Sequence, residues 1–203
     1  MMGKESVLLI CAVLLMGIVG EAGGSYIVVD DFESYETDAN LLAVWDDYWV
    51  NGYDGEMSLE TDPNIIRQPD SEAAELAFYN VTAVGAQQIG SQFDVQDMSE
   101  LQVGSDWTTG GVKALFMYLR GDPCNVQATD ADGKAPWVPL WEAATPWVEL
   151  EDTSSNTGYV VHPNPEQMGW GIWEEWNIDL NVFDACGVEL SAIDRFTIGI
   201  GGA

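Results

Sequence analysis

Positively charged residues are scarce in this sequence. Six lysines and arginines stand against 34 aspartates and glutamates in 203 residues, which gives a formal net charge of -28. Because such a surface repels phosphate backbones and anionic lipid, nucleic acids and membrane surfaces are disfavoured as partners. The composition suits neutral ligands, cations or a secreted protein that must stay soluble. A hydrophobic fraction of 47% with 11% aromatics excludes a disordered acidic polymer.

Histidine and cysteine are also rare, with one and three residues respectively. A Ser-His-Asp triad would have to use His162, and the sequence contains no G-x-S-x-G elbow. His162 precedes a proline-rich turn and is predicted to anchor a loop. Cys124 and Cys186 have no histidine or cysteine neighbours at zinc-ligand spacing. Acidic pairs are expected by chance in so acidic a chain, so we predict that the protein is not an enzyme.

Only one long apolar run is present, and it lies at the N-terminus. The run 7–19 follows Lys4 and precedes small residues around Ala22. This pattern predicts a secretory signal peptide over residues 1–24, and the run is shorter than a spanning helix requires. The remaining residues, 25–203, are expected to form one domain. The protein is therefore predicted to be secreted or displayed on the cell surface, without membrane insertion after cleavage.

Helical periodicity is nearly absent from the mature chain. Short β-rich runs separated by Gly, Pro, Asn and Asp clusters predict an all-β sandwich or barrel. Strands are predicted near 26–32, 45–50, 74–80, 86–93, 112–120, 146–152, 157–162, 173–180 and 194–200.

Alternation along three of these strands separates an apolar side from a side that mixes aromatic rings with carboxylates, amides and an arginine. Large aromatic rings are unusual on a solvated face. Rings beside planar polar groups suit sugars. The alternative is that a loop or the other sheet covers these rings. The residues predicted to form a ligand platform on one sheet face are Tyr118, Arg120, Trp147, Glu149 and Trp173.

Several segments together resemble a known family. The blocks VVDDFESY, DWTTGGVKALFMYLRGDP, WEEWNIDL and IDRFTIGIGG are similar to those of exported bacterial jelly-roll modules found beside laminin-G-like domains, which resemble galactose-binding-like carbohydrate-binding modules. The resemblance covers nearly all of the mature chain. It implies a two-sheet antiparallel β-sandwich (jelly roll) that binds carbohydrate and is tethered to further domains downstream.

The resemblance also implies a structural calcium ion near the first strand, with Glu33 as a ligand, and Asp31 is predicted as a second ligand because it lies on the same side. Alternation places Asp31 and Glu33 on one side of the chain with Val29, and Asp30 with Phe32 on the inner side, where Asp30 is expected to accept backbone donors. Family members continue past the equivalent of IGIGG into a final strand with paired aspartates. The resemblance therefore implies that this chain is truncated or lacks that strand, which leaves the calcium site short of a ligand.

These observations predict a secreted, non-catalytic carbohydrate-binding module of a larger surface protein. Two alternatives stay open at this point. One is a structural or adhesive β-sandwich spacer that binds no sugar, and the other is a glycoside-active enzyme.

Overall fold

The computed structural model describes residues 6–17, 26–48, 55–62, 64, 66, 73–78, 91–95, 97–121, 145–165 and 171–201. These residues form two antiparallel β-sheets. Sheet A contains β1 (Ser6–Gly17), β2 (Tyr26–Val28), β4 (Gly55–Glu60), β5 (Ala73–Phe78), β7 (Ala114–Gly121) and β10 (Glu174–Asp179). Sheet B contains β3 (Asp46–Tyr48), β6 (Ser91–Val95), β8 (Pro146–Asp152), β9 (Thr157–Val161) and β11 (Ile193–Ile200).

The strand order is β10-β7-β1-β5-β4 in sheet A, with β2 also paired to β1, and β3-β6-β11-β8-β9 in sheet B. From β6 onward the chain alternates between the sheets, since β6, the hairpin β8–β9 and β11 belong to sheet B whereas β7 and β10 belong to sheet A. Two short helices, α1 (Asp38–Leu41) and α2 (Asn181–Ala185), and two 3-10 turns, Met98–Glu100 and Thr109–Gly111, connect strands. The predicted all-β, two-sheet antiparallel β-sandwich is confirmed.

The core lies between the sheets and follows the alternation of the sequence. Leu115, Met117 and Leu119 of β7 are buried, as are Val148 and Leu150 of β8. An aromatic chain runs through its centre, because the Trp45 ring lies 5.7 Å from Phe32 and 5.6 Å from Phe196, and Trp107 lies 5.3 Å from Phe196. The inward faces that alternation predicted for β7, β8 and β10 are thus confirmed.

All nine predicted strands overlap strands of the structure, although part of the predicted strand 86–93 lies outside the described residues. Strand β4 was not predicted. Its sequence GEMSLE alternates correctly, with Met57 buried and Leu59 half-buried, but Gly and Glu have low β propensity.

The predicted signal peptide contains a strand of the full chain. Residues 6–17 form β1, which lies between β5 and β7 in sheet A. Cleavage of residues 1–24 stays a prediction. No helix within the described part of the chain is long and apolar enough to cross a membrane.

Candidate functional site

The five residues predicted as one ligand platform belong to two different sheets. Tyr118 and Arg120 lie on β7, and Trp173 immediately precedes β10, its neighbour in sheet A, whereas Trp147 and Glu149 lie on β8 in sheet B. The prediction of a single platform is therefore wrong. Alternation identifies the side of each strand that faces away from the core, but in a sandwich the two outer faces point in opposite directions.

The sheet A part of the predicted set forms a coherent surface, here called the β7–β10 face. Its residues point away from the core because the alternate residues of both strands are buried. The backbone register pairs Tyr118 with Glu175 and Phe116 with Asn177. The β7–β10 face consists of Phe116, Tyr118, Arg120, Trp173, Glu175, Asn177 and Asp179.

Aromatic rings and hydrogen-bonding groups are both accessible on this face. Phe116, Tyr118 and Trp173 are partly exposed, while Glu175 and Asn177 are exposed. The Tyr118 hydroxyl donates a hydrogen bond of 3.0 Å to Glu175 Oε2, which fixes the phenol beside a carboxylate. Rings held next to planar polar groups are the elements that a sugar requires, since its C–H faces pack on rings and its hydroxyls bind carboxylates and amides.

Arg120 is held at one end of the face. Its Nε donates a hydrogen bond of 2.8 Å to the carbonyl oxygen of Gly171, whose φ of 65° is a conformation that favours glycine. The charge of Arg120 also acts on Asp62. Hydrogen bonds from Asn64 chiefly lower the pKa of the Asp62 carboxyl, and the positive charge of Arg120 contributes to the same effect.

The sheet B part of the predicted set lies in a second cluster. The register places Asp94 of β6, Thr197 of β11 and Glu149 of β8 side by side on the outer face. Arg195, two residues before Thr197, bonds to Glu151, and its Nε lies 4.0 Å from Asp94 Oδ2. Sequence reasoning missed Asp94, Arg195 and Thr197, because only the pairing of β11 with both β8 and β6 brings these residues together with Glu149.

Trp147 is buried although it lies on the outer face of sheet B. Its indole lies over Gly199 of the neighbouring strand, so closely that a Cβ on Gly199 would come within 2.1 Å of the ring. The side chain is only 6% exposed, and its Nε1 makes no hydrogen bond to a described residue. Partial burial raises the pKa of the nearby Glu149 carboxyl, with Arg195 opposing and Glu151 reinforcing this effect.

The acidic stretch after β2 contains a buried structural carboxylate. Asp30 is 5% exposed and accepts hydrogen bonds from the Phe32 amide at 2.8 Å, the Tyr35 hydroxyl at 2.7 Å and Trp45 Nε1 at 2.7 Å. Burial raises the pKa of Asp30, while the three hydrogen bonds act against that rise. The prediction that Asp30 satisfies backbone donors on the Phe32 side is confirmed.

Asp31 and Glu33, the predicted calcium ligands, are half-exposed and exposed respectively. The amide of Glu33 donates a hydrogen bond of 3.1 Å to Asp31 Oδ1. Val29, expected outside with them, is buried, because β2 ends at Val28 and Phe32 adopts a φ of 60°, so alternation does not extend through this turn.

Calcium requires about six to eight oxygen ligands. Within the described residues, no group of three or more Asp, Glu, His or Cys side chains is arranged to hold a metal ion. Calcium binding by Asp31 and Glu33 stays a prediction.

His162 is buried and serves its own loop. Its Nδ1 accepts a hydrogen bond of 3.2 Å from the Asn164 amide, and its ring packs edge-on against Trp176 at 5.0 Å. The prediction that His162 anchors a loop is confirmed.

Comparisons with protein-family models, with curated proteins and with solved structures each gave no match to this chain.

Proposed function

We propose that this protein is a secreted, non-catalytic carbohydrate-binding β-sandwich and that its ligand packs on the β7–β10 face. The observation that carries the proposal is the pairing of accessible rings with fixed hydrogen-bonding groups on two adjacent strands. Tyr118 is bonded to Glu175, and Trp173 lies at the same end of the face as Arg120. The resemblance of the sequence to carbohydrate-binding jelly-roll modules, which are tethered to larger surface proteins, supports the same function.

The β7–β10 face is favoured over the sheet B cluster because of accessibility. A sugar that packs on an aromatic ring needs one face of that ring to be open. Trp173 and Tyr118 are partly exposed, whereas Trp147 is 6% exposed and lies against Gly199. Trp147 and Glu149 therefore have a packing role in this proposal, and Tyr118, Arg120 and Trp173 contact the ligand.

A polysaccharide panel tests the proposal. The full chain should bind at least one polymer without shortening it, and Trp173→Ala should weaken that binding about tenfold, since each stacked ring contributes roughly 0.5–1.5 kcal/mol beyond its buried area. Tyr159→Ala is the matched control, because Tyr159 is 56% exposed but lies on β9 in the other sheet.

Two results of this panel would contradict the proposal. Absence of binding to every polymer would favour the structural or adhesive spacer, in which the acidic residues of the edge strand β10 only prevent sheet-to-sheet association. Shortening of a bound polymer would favour a glycoside-active enzyme.

Calcium binding at Asp31 and Glu33 stays a proposal that rests on the resemblance. If both carboxylates bind calcium in the native state, added calcium should raise the thermal midpoint of the full chain relative to chelator. Glu33→Gln should remove the difference. A midpoint that ignores calcium in both proteins would leave Asp31 and Glu33 as a solvated acidic turn.

A further inference from the structure

From the charges and the shape of the β7–β10 face, we infer that its ligand is an internal stretch of an uncharged, linear polysaccharide. This inference rests on the proposed function and adds the class of glycan. It excludes uronic acid polymers and sulfated polymers, and it excludes recognition of a single terminal sugar.

The first step concerns the acids of the face. The polar residues along β10 include Glu175 and Asp179, both exposed. Asp179 Oδ1 accepts two hydrogen bonds from Asn181, at 2.9 Å from the amide and 2.7 Å from Nδ2, so this carboxylate is held in place. An anionic sugar placed on the rings of β7 would lie beside these negative charges, within the Debye length of about 8 Å at physiological salt, so salt would screen the repulsion only in part.

The second step concerns the only cation of the face. Arg120 donates its Nε–H to the Gly171 carbonyl, and its charge already acts on the Asp62 carboxylate. Recognition of a carboxylate or sulfate uses the fork of an arginine in a bidentate geometry. One donor of Arg120 is engaged by Gly171, and its single positive charge is outnumbered by the two carboxylates of the face, Glu175 and Asp179. The net charge of -28 also repels an anionic polymer at long range.

The third step concerns shape. Phe116 and Tyr118 form a column of rings along β7, and Asn177 and Glu175 form a parallel column of polar groups along β10. The six residue steps from Trp173 to Asp179 extend roughly 20 Å at a rise of ~3.3 Å per residue. Several consecutive sugar residues of a chain match this length, with the rings of Phe116 and Tyr118 beneath them and the polar groups of β10 along one side.

Matched polymers that differ only in charge provide the test. Affinity electrophoresis of the full chain is run in gels with xylan, mixed-linkage glucan, galactomannan and hydroxyethylcellulose, and in gels with polygalacturonate, alginate, chondroitin sulfate and chitosan. Carboxymethylcellulose is the charged counterpart of hydroxyethylcellulose on the same backbone. The expected result is retardation by at least one neutral polymer, unchanged by salt, with affinity about tenfold or more above that for every anionic polymer.

The double variant Glu175→Gln, Asp179→Asn keeps the shape of the side chains and removes both charges. It should narrow the preference for neutral over anionic polymers while it leaves the thermal midpoint nearly unchanged. Tight binding to an anionic polymer, or binding only to chitosan that disappears at high salt, would overturn the inference and leave carbohydrate binding intact. Retardation by no polymer at all would overturn the proposed function and this inference together.

Discussion

At the scale of single residues, the carboxylates of this acidic chain have sharply different roles. Asp30 is a buried acceptor for three donors, and Asp152 closes the β8–β9 hairpin. Asp97 and Asp106 accept backbone amides at the starts of turns. Such short-range bonds explain why many acids can be accommodated without a metal or a catalytic role, because each one satisfies donors that a turn or a buried ring leaves open.

Asp30→Asn should lower the free energy of unfolding by about 1–3 kcal/mol. Oδ2 of Asp30 accepts both the Tyr35 hydroxyl and Trp45 Nε1, and an amide nitrogen at that position would face two donors. Tyr35→Phe removes one donor and leaves the other hydrogen bonds to Asp30 in place. It should therefore lower the free energy of unfolding by less than Asp30→Asn does. Urea unfolding of the native protein and the two variants measures both values. If Asp30→Asn is as stable as the native protein, Asp30 is not the acceptor that joins these rings.

Asp152 predicts a specific pH dependence. Hydrogen bonds from Asn156, the Glu189 amide and the Ser154 amide lower the pKa of Asp152 to about 2. A folded pKa below the unfolded value of roughly 3.9 stabilises the fold above that value, and this contribution disappears as the pH falls towards the folded pKa.

The difference in unfolding free energy between the native chain and Asp152→Asn should therefore be constant near neutral pH. It should shrink between about pH 4 and pH 2. Urea titrations at several pH values measure it. A difference that stays constant over this range would mean that the ionised form of Asp152 has no special role.

At the scale of elements, alternation predicted most strands and their buried sides, but it could not predict which strands pair. The pattern of β8 is equally compatible with either sheet, so Trp147 and Glu149 were grouped with Tyr118, Arg120 and Trp173. Pairing is decided by long-range packing, here by contact of β8 with β11 and of β10 with β7. For the same reason the sequence did not predict the cluster of Asp94 and Arg195 with Glu149 and Glu151, which forms only when β11 pairs with β6 on one side and β8 on the other.

The contact between β8 and β11 also depends on one glycine. Gly199→Ala would place a Cβ 2.1 Å from Trp147 Cζ2, so the indole or the strand must move. We expect this substitution to lower the free energy of unfolding by about 1–3 kcal/mol. Gly158→Ala on β9 is a milder control, since its nearest contact, Cys186 Cβ, lies at 3.1 Å.

The double variant Gly199→Ala, Trp147→Leu should lose less unfolding free energy than the two single variants lose in sum, because the smaller leucine side chain relieves the clash. Urea unfolding of the four proteins completes the cycle. Strict additivity would show that the indole does not limit the space above Gly199.

At the scale of the whole molecule, residues 1–24 are either cleaved or retained, and sheet A differs between the two cases. Strand β1 makes seven paired positions with β7, five with β5 and three with β2, so its removal would leave three strands without a partner on that side. The β7–β10 pairing does not involve β1. Removal of residues 1–24 would therefore leave the β7–β10 pairing itself intact, while the other strands of sheet A lose their pairing with β1.

A chain that starts at Ser25 should unfold at a lower temperature than the full chain, because those pairings and their buried area are lost. Thermal unfolding of both proteins measures the effect. Mass spectrometry of the exported protein gives the actual N-terminus, which the sequence predicts near residue 25. Equal midpoints for the two chains would contradict a stabilising role of β1.

We propose that the β7–β10 face of this acidic sandwich binds an uncharged polymer, and one comparison tests this proposal most directly. Calorimetry measures the affinity for a neutral polysaccharide that retards the native protein. The full chain is compared as the native protein, Trp173→Ala and Trp147→Phe. If the β7–β10 face binds the ligand, Trp173→Ala weakens binding about tenfold and Trp147→Phe leaves it nearly unchanged. Loss of binding in Trp147→Phe with native affinity in Trp173→Ala would contradict this assignment and move the site to sheet B.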